Sequence, residues 1–233
     1  MKLAYLAISA VVFALIFACK SDSEPDPDPD PMDPGVHTIS DVCDQDSVYF
    51  VNDIRPILIS YCATSGCHDP ISAEGELIAI DYNSLLNSDK IVRGNPIEST
   101  LYQRITSGSP DLQMPPPGEV ALNAKQIDLI ETWISQGAKN NECIGECETE
   151  NLNFNDHIAV IIKDYCGGCH GGNNPEGDLL LENYQQVRET GMDGRLLGTI
   201  RKQAGFIPMP FYGSMTDCEV NQIEAWVFNN MPE

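Results

Sequence analysis

Phe50, Ile54, Ile57 and Tyr61 follow one another at spacings of four, three and four residues. That is one face of a helix. The same face returns 104 residues later as Phe154, Ile158, Ile161 and Tyr165. Pro56 falls in the first turn of the earlier helix, where a missing N–H costs little. Further on, "TLYQRI" and "RLLGTI" align at an offset of 95, pairing Leu101 with Leu196 and Ile105 with Ile200. "IDLIETWISQGA" and "CEVNQIEAWVFNN" align at an offset of 93, pairing Trp133 with Trp226. Each predicts a last helix with its Trp on the buried face. Strand-like alternation is scarce. The pattern predicts an all-α fold made of two copies of one plan, with boundaries at 43–143 and 144–233.

The first 42 residues follow other rules. Lys2 precedes a run of 16 uncharged, mostly apolar residues, Leu3 to Ala18. That run is short for a membrane span and right for a signal peptide over 1–18. It ends "LIFAC", which resembles a bacterial lipobox with Cys19 as the lipidated first residue of the mature chain. An ordinary secretory signal with an incidental cysteine is the alternative. Residues 19–42 then contain "KSDSEPDPDPDPMDPG". Alternating Asp and Pro resists helix formation and repels itself, so it reads as an extended tether. His37 falls within it and carries no evident chemistry. The expected location is the bacterial cell envelope, lipid-anchored and facing the periplasm or the cell surface.

Composition narrows the classes. The 233 residues carry a net charge of −22, with 42% hydrophobic residues. Cores can form beneath a strongly acidic surface, which excludes a nucleic-acid footprint. Nine cysteines suit an oxidising compartment.

Five of those cysteines have a place in motifs already in view or about to be. Cys166-Gly-Gly-Cys169-His170 is the attachment signal for a c-type haem. Two thiols one helical turn apart add to the haem vinyl groups, and the adjacent histidine reaches the iron. A zinc site would need a second ligand pair, and a redox dithiol would not need the histidine. The earlier copy reads "YCATSGCHDP", with four residues between Cys62 and Cys67 before His68. Tyr61, Cys62, Gly66, Cys67 and His68 fall where the second copy predicts them, so the two extra residues read as a loop insertion. Gly66 mirrors Gly168 and gives the loop freedom to bulge. Whether Cys62 is haem-linked, or Cys67 alone, stays open. After the motifs the offset becomes 102, pairing Leu77 with Leu179 and Tyr82 with Tyr184.

"CATSGCHD", "VRGNPIESTLYQRI", "MPPPG" and "IDLIETWISQGA" together resemble the planctomycete-type cytochrome c domain, from Val48 to Ala138. The second copy keeps "CGGCHGG", "IPMP" and "IEAWV" but has lost the Gly-Asn-Pro segment. The resemblance implies two tandem cytochrome c-like domains, two haem c groups and an electron-transfer role. Distal ligands are expected at Met114, 46 residues after His68, and Met209, 39 residues after His170. Met215 and Met192 are the fallbacks. His157 aligns with Asp53 on the polar face of its helix and reads as solvated.

Cys43, Cys143, Cys147 and Cys218 remain, and four cysteines allow three pairings. The domain layout favours Cys43–Cys143 with Cys147–Cys218. Cys143–Cys147 with Cys43–Cys218 is the competing set.

The expected function is a membrane-anchored dihaem carrier moving electrons between redox partner proteins with basic docking faces. A dihaem peroxidase would need an open distal position on the second haem. A haem-containing docking module of the envelope is the third reading.

Overall fold

The computed structural model describes residues 37–40 and 42–233. The leader, Cys19 and the Asp-Pro repeats lie outside the described residues. Among the described residues the fold is mostly helical, with eight α-helices and one short parallel ribbon. No helix there is long and apolar enough to cross a membrane.

In the first half, a π-turn over Phe50–Ile54 runs into α1 (Arg55–Tyr61). It is followed by α2 (Tyr82–Leu86), α3 (Thr100–Ile105) and α4 (Ala124–Ser135). The second half repeats the order. A π-turn over Phe154–Ile158 leads into α5 (Ala159–Cys166), then α6 (Tyr184–Met192), α7 (Arg195–Ile200) and α8 (Asp217–Phe228). The helices α2 and α6 add to the single short middle helix read from the sequence. Asp81 and Asn183 start them by accepting the Ser84 and Gln186 N–H groups.

Polar residues fix where the longer helices begin. Asn123 with Gln126 and Thr216 with Glu219 form reciprocal capping boxes at α4 and α8. At the π-turns, Asp53 accepts from Tyr49 N at 2.7 Å and His157 Nδ1 accepts from Asn153 N at 3.3 Å. His157 therefore closes a helix start in the manner of Asp53.

Each half has its own core. Phe50, Tyr82 and Trp133 meet at 5.2–6.5 Å between ring centroids in the first. Phe154, Tyr184 and Trp226 do so in the second, at 5.5 and 6.0 Å. The indole of Trp133 donates to Lys139 O, and that of Trp226 to Pro232 O. Tyr82 and Tyr184 donate to the backbone at Ala138 O and Met231 O, both at 2.8 Å. The repeat is thus written in buried hydrogen bonds as well as in apolar spacing.

Disulfides join Cys43 to Cys143 and Cys147 to Cys218, each within one half. Beside the first, β1 (Thr38–Ser40) pairs in parallel with β2 (Asn141–Cys143). His37, next to that ribbon, lies 3.5 Å from Glu142.

The halves meet where α1 packs on α5. Pro56 to Tyr61 are all buried, because one side of α1 faces its own core and the other faces α5. Tyr61 donates to Lys163 O at 3.0 Å, and Gln126 donates to Asp164 at 2.9 Å.

Candidate haem sites

A cavity of about 450 Å³ opens in the first half. Its walls include Cys62, Cys67, His68 and Met114. Leu77, Leu101, Ile105, Pro115 and Val120 add apolar surface. Three stretches far apart in sequence are brought together: the end of α1 with its loop, the helix α3, and the Met-Pro turn.

The stretched motif keeps the ring of the short one. His68 N donates to Cys62 O at 3.1 Å, and His170 N donates to Cys166 O at 2.8 Å. The two extra residues are taken up inside that ring, where Cys67 N reaches Thr64 O at 3.0 Å. Gly66 stands there at φ +85°, in the left-handed region that glycine tolerates best. Gly168, its counterpart, is a glycine for a different reason: a Cβ there would lie 2.0 Å from Ser60 O.

Asp69 is the part that sequence reading missed. Its carboxylate accepts from Gly66 N at 2.9 Å, Ile71 N at 2.8 Å and Ser72 N at 3.2 Å. Burial opposes ionisation, yet the hydrogen bonds from Ile71, Ser72 and Gly66 outweigh it and hold the carboxyl below its ordinary value. Asp69 therefore clamps the longer loop. Gly171 occupies the matching place after His170, where the shorter loop needs no clamp.

Each imidazole has a backbone acceptor, although not the equivalent one in the two halves. His68 Nδ1 lies 2.8 Å from Glu74 O, and His170 Nδ1 lies 3.2 Å from Leu179 O. A backbone acceptor on Nδ1 fixes the tautomer and leaves Nε2 as a metal ligand. The acceptor for His68 belongs to the turn Glu74–Glu76, which recurs as Glu176–Asp178. Gly75 and Gly177, 102 residues apart, were the sequence signal for it. Further bonds repeat: Glu74 N to Cys67 O and Glu176 N to Cys169 O, then Ala79 N to His68 O and Leu181 N to His170 O.

The methionine turns correspond too. Met114 N donates to Arg104 O at 3.0 Å and Met209 N to Thr199 O at 3.2 Å. Each Met precedes a cis proline. Met215 is buried in the second core and Met192 ends α6 with its side chain exposed.

Burial is the leading cause that pushes up three of the four motif thiols, Cys62, Cys166 and Cys169. Burial, then the charge of Cys67, pushes Cys62 up to about 12. Burial, then Cys169, pushes Cys166 up to about 12. Such thiols stay protonated at neutral pH. Among the described residues no group of three or more His, Cys, Asp or Glu is arranged to hold a bare metal ion.

Two thiols, an oriented imidazole and a thioether around one apolar cavity are the donor set of a c-type haem cleft. The residues present fit the group in size as well, since the cavity is in the ordinary range of ligand pockets. Residues 65–118 match the family described as Planctomycete cytochrome C. That stretch runs through Cys67, His68 and Met114, and its family binds haem for electron transfer. Neither a curated protein nor a solved structure matches the chain.

Proposed function

We propose that this chain is a lipid-anchored dihaem c-type cytochrome that carries electrons between redox partners in the bacterial cell envelope. The convergence of Cys62, Cys67, His68 and Met114 on one cavity carries the reading. The repeated backbone bonds around His170 and Met209 extend it to the second half. In this reading residues 43–143 and 144–233 are tandem cytochrome c-like domains. Residues 1–18 are the signal, Cys19 bears the lipid, and residues 19–42 are the tether.

The roles follow from the side chains. Cys62 and Cys67 hold one haem by thioether bonds, and Cys166 and Cys169 hold the other. Nε2 of His68 and of His170 would be free to ligate iron, and the Met114 and Met209 thioethers would supply a further ligand to each. When bound, the haem supplies a one-electron iron couple. The carbonyls of Glu74 and Leu179 would each fix one imidazole tautomer and raise its basicity as a ligand. Leu77, Leu101, Ile105 and Val120 give the first cavity an apolar wall. A thioether ligand and apolar surroundings both raise the reduction potential.

Nothing in this arrangement calls for substrate chemistry at the iron. Met209 N makes the backbone bond equivalent to that of Met114 N, which is the support for a second methionine ligand; the cavity lined by Met114 and His68 has no described counterpart lined by Met209 and His170. The net charge of −22 would steer the carrier toward basic docking faces, with rates that fall as salt rises.

Met114→Ala tests the ligand set in the haem-loaded protein. The variant should keep both haems, lose one Met–iron charge-transfer band in magnetic circular dichroism, and lower one midpoint potential. Unchanged bands and potentials would remove Met114 from the iron.

A further inference from the structure

The glycine pair of the second motif is shaped by the first half of the chain. Gly168 N donates to Ser60 Oγ at 2.9 Å, and Cys169 Sγ lies 3.7 Å from Ser60 O. A Cβ on Gly168 would approach Ser60 O to 2.0 Å and its carbonyl carbon to 2.5 Å. A Cβ on Gly167 would come within 2.7 Å of the Tyr61 hydroxyl. Gly168 is therefore closed to any side chain by Ser60, whereas Gly167 is closed first by Lys163 O of its own half, at 2.6 Å, and then by Tyr61. Gly168 is also part of the wall of the first cavity. Electrostatics report the same closeness: after burial and the charge of Glu176, the charge of Cys67 pushes Cys169 up, to about 11.

Resting on the dihaem reading, we propose that the Ser60–Gly168–Cys169 contact is the junction across which the two haem sites exchange an electron. The path is short and made of atoms in contact. From the Cys169 sulfur it crosses to Ser60 O, then follows the backbone through Tyr61 to Cys62. The Gly168 N–H bond to Ser60 Oγ runs beside it. One electron moves: the donor iron goes from ferrous to ferric and the acceptor from ferric to ferrous. No proton moves and no bond is made or broken. Ser60 is buried between the two halves, while Gly168 and Cys169 are partly buried. The two halves then act as one relay, able to accept an electron at one cavity and deliver it from the other.

The experiment uses the full haem-loaded chain. A pyridine haemochrome assay first counts the haems, and fewer than two overturns the dihaem reading together with the junction. With two haems present, exchange NMR on the half-reduced protein follows the haem methyl resonances. The expected result is exchange at a rate independent of protein concentration. A rate that scales with concentration, or no exchange, overturns the junction and leaves the dihaem reading standing. Gly168→Ala, which forces the two backbones apart, should slow the exchange at least about tenfold, the scale of rate loss from small misplacements. Ser60→Ala keeps the Ser60 carbonyl but removes the Gly168 N–H bond that holds the two backbones together, so it should slow exchange less than Gly168→Ala does, without changing either ligand-field spectrum. It serves as the test if Gly168→Ala does not accumulate. Unaltered exchange in a variant that carries two haems would overturn the proposal.

Discussion

A glycine before the second motif cysteine occurs in both copies, and the two positions look interchangeable on paper. Gly66 has a left-handed backbone with open space around it, whereas Gly168 faces the Ser60 carbonyl. The motif residues themselves were legible in the sequence, because covalent attachment fixes their type and order. Their supports were not, since a backbone carbonyl or a carboxylate three residues away leaves no distinctive string. Asp69 is the clearest case. Asp69→Ala leaves the Gly66, Ile71 and Ser72 amides without their acceptor, and should lower the midpoint of denaturant unfolding of the haem-loaded protein. Asp69→Asn keeps the oxygen shared by Ile71 and Ser72 and should recover part of that loss. Equal stability in all three proteins would show that the loop does not depend on the clamp.

The helices that the apolar spacing predicted are the ones that bury an entire face. Helices α1 and α5 carry Ile57 with Tyr61 and Ile161 with Tyr165, while α4 and α8 carry Trp133 and Trp226. Helix α2 escaped because five residues give too few turns for a periodic signal, and α6 because its buried face, Val187, Thr190 and Gly191, carries only one large apolar residue. Their starts were nonetheless encoded, in Asp81 and in the Asn183–Gln186 box. The ribbon of β1 and β2 is three residues long in each strand, below what alternation can reveal. Capping offers a test that is independent of haem chemistry. Asn123→Ala removes the acceptor for Gln126 N at the head of α4, and should destabilise the fold by about 1 kcal/mol in thermal or denaturant melts. A change within error would mean that packing around Trp133 alone fixes the start of that helix.

Across the whole molecule, burial and charge set the response to pH. Burial is the leading cause that raises Asp53, Asp164 and Glu219 above ordinary carboxylate values of 3.8 and 4.5. The folded state therefore keeps their protons to higher pH than the unfolded state does. Their stabilising contribution is complete below the unfolded values and is lost as pH rises through the folded ones. Asp44 and Asp69 are lowered, so their contribution is lost only as pH falls below 3.8. The net charge of −22 adds self-repulsion that eases as carboxylates protonate. Melting temperature should accordingly be higher at about pH 5 than at about pH 8. A flat or reversed profile would contradict the assignment of the buried carboxyls. The α1–α5 contact, and with it the bond from Gln126 to Asp164, could not be read from one sequence, because it arises where the two copies touch and not within either copy.

The central claim is that both motifs, the stretched and the regular, bind haem covalently through paired cysteines. Intact and peptide mass spectrometry of the chain, produced in a host that matures c-type cytochromes, tests it most directly. The expected result is two haem additions, one on the peptide holding Cys62 and Cys67 and one on that holding Cys166 and Cys169. A chain bearing no haem, or haem on only one of the two motif peptides, would contradict it.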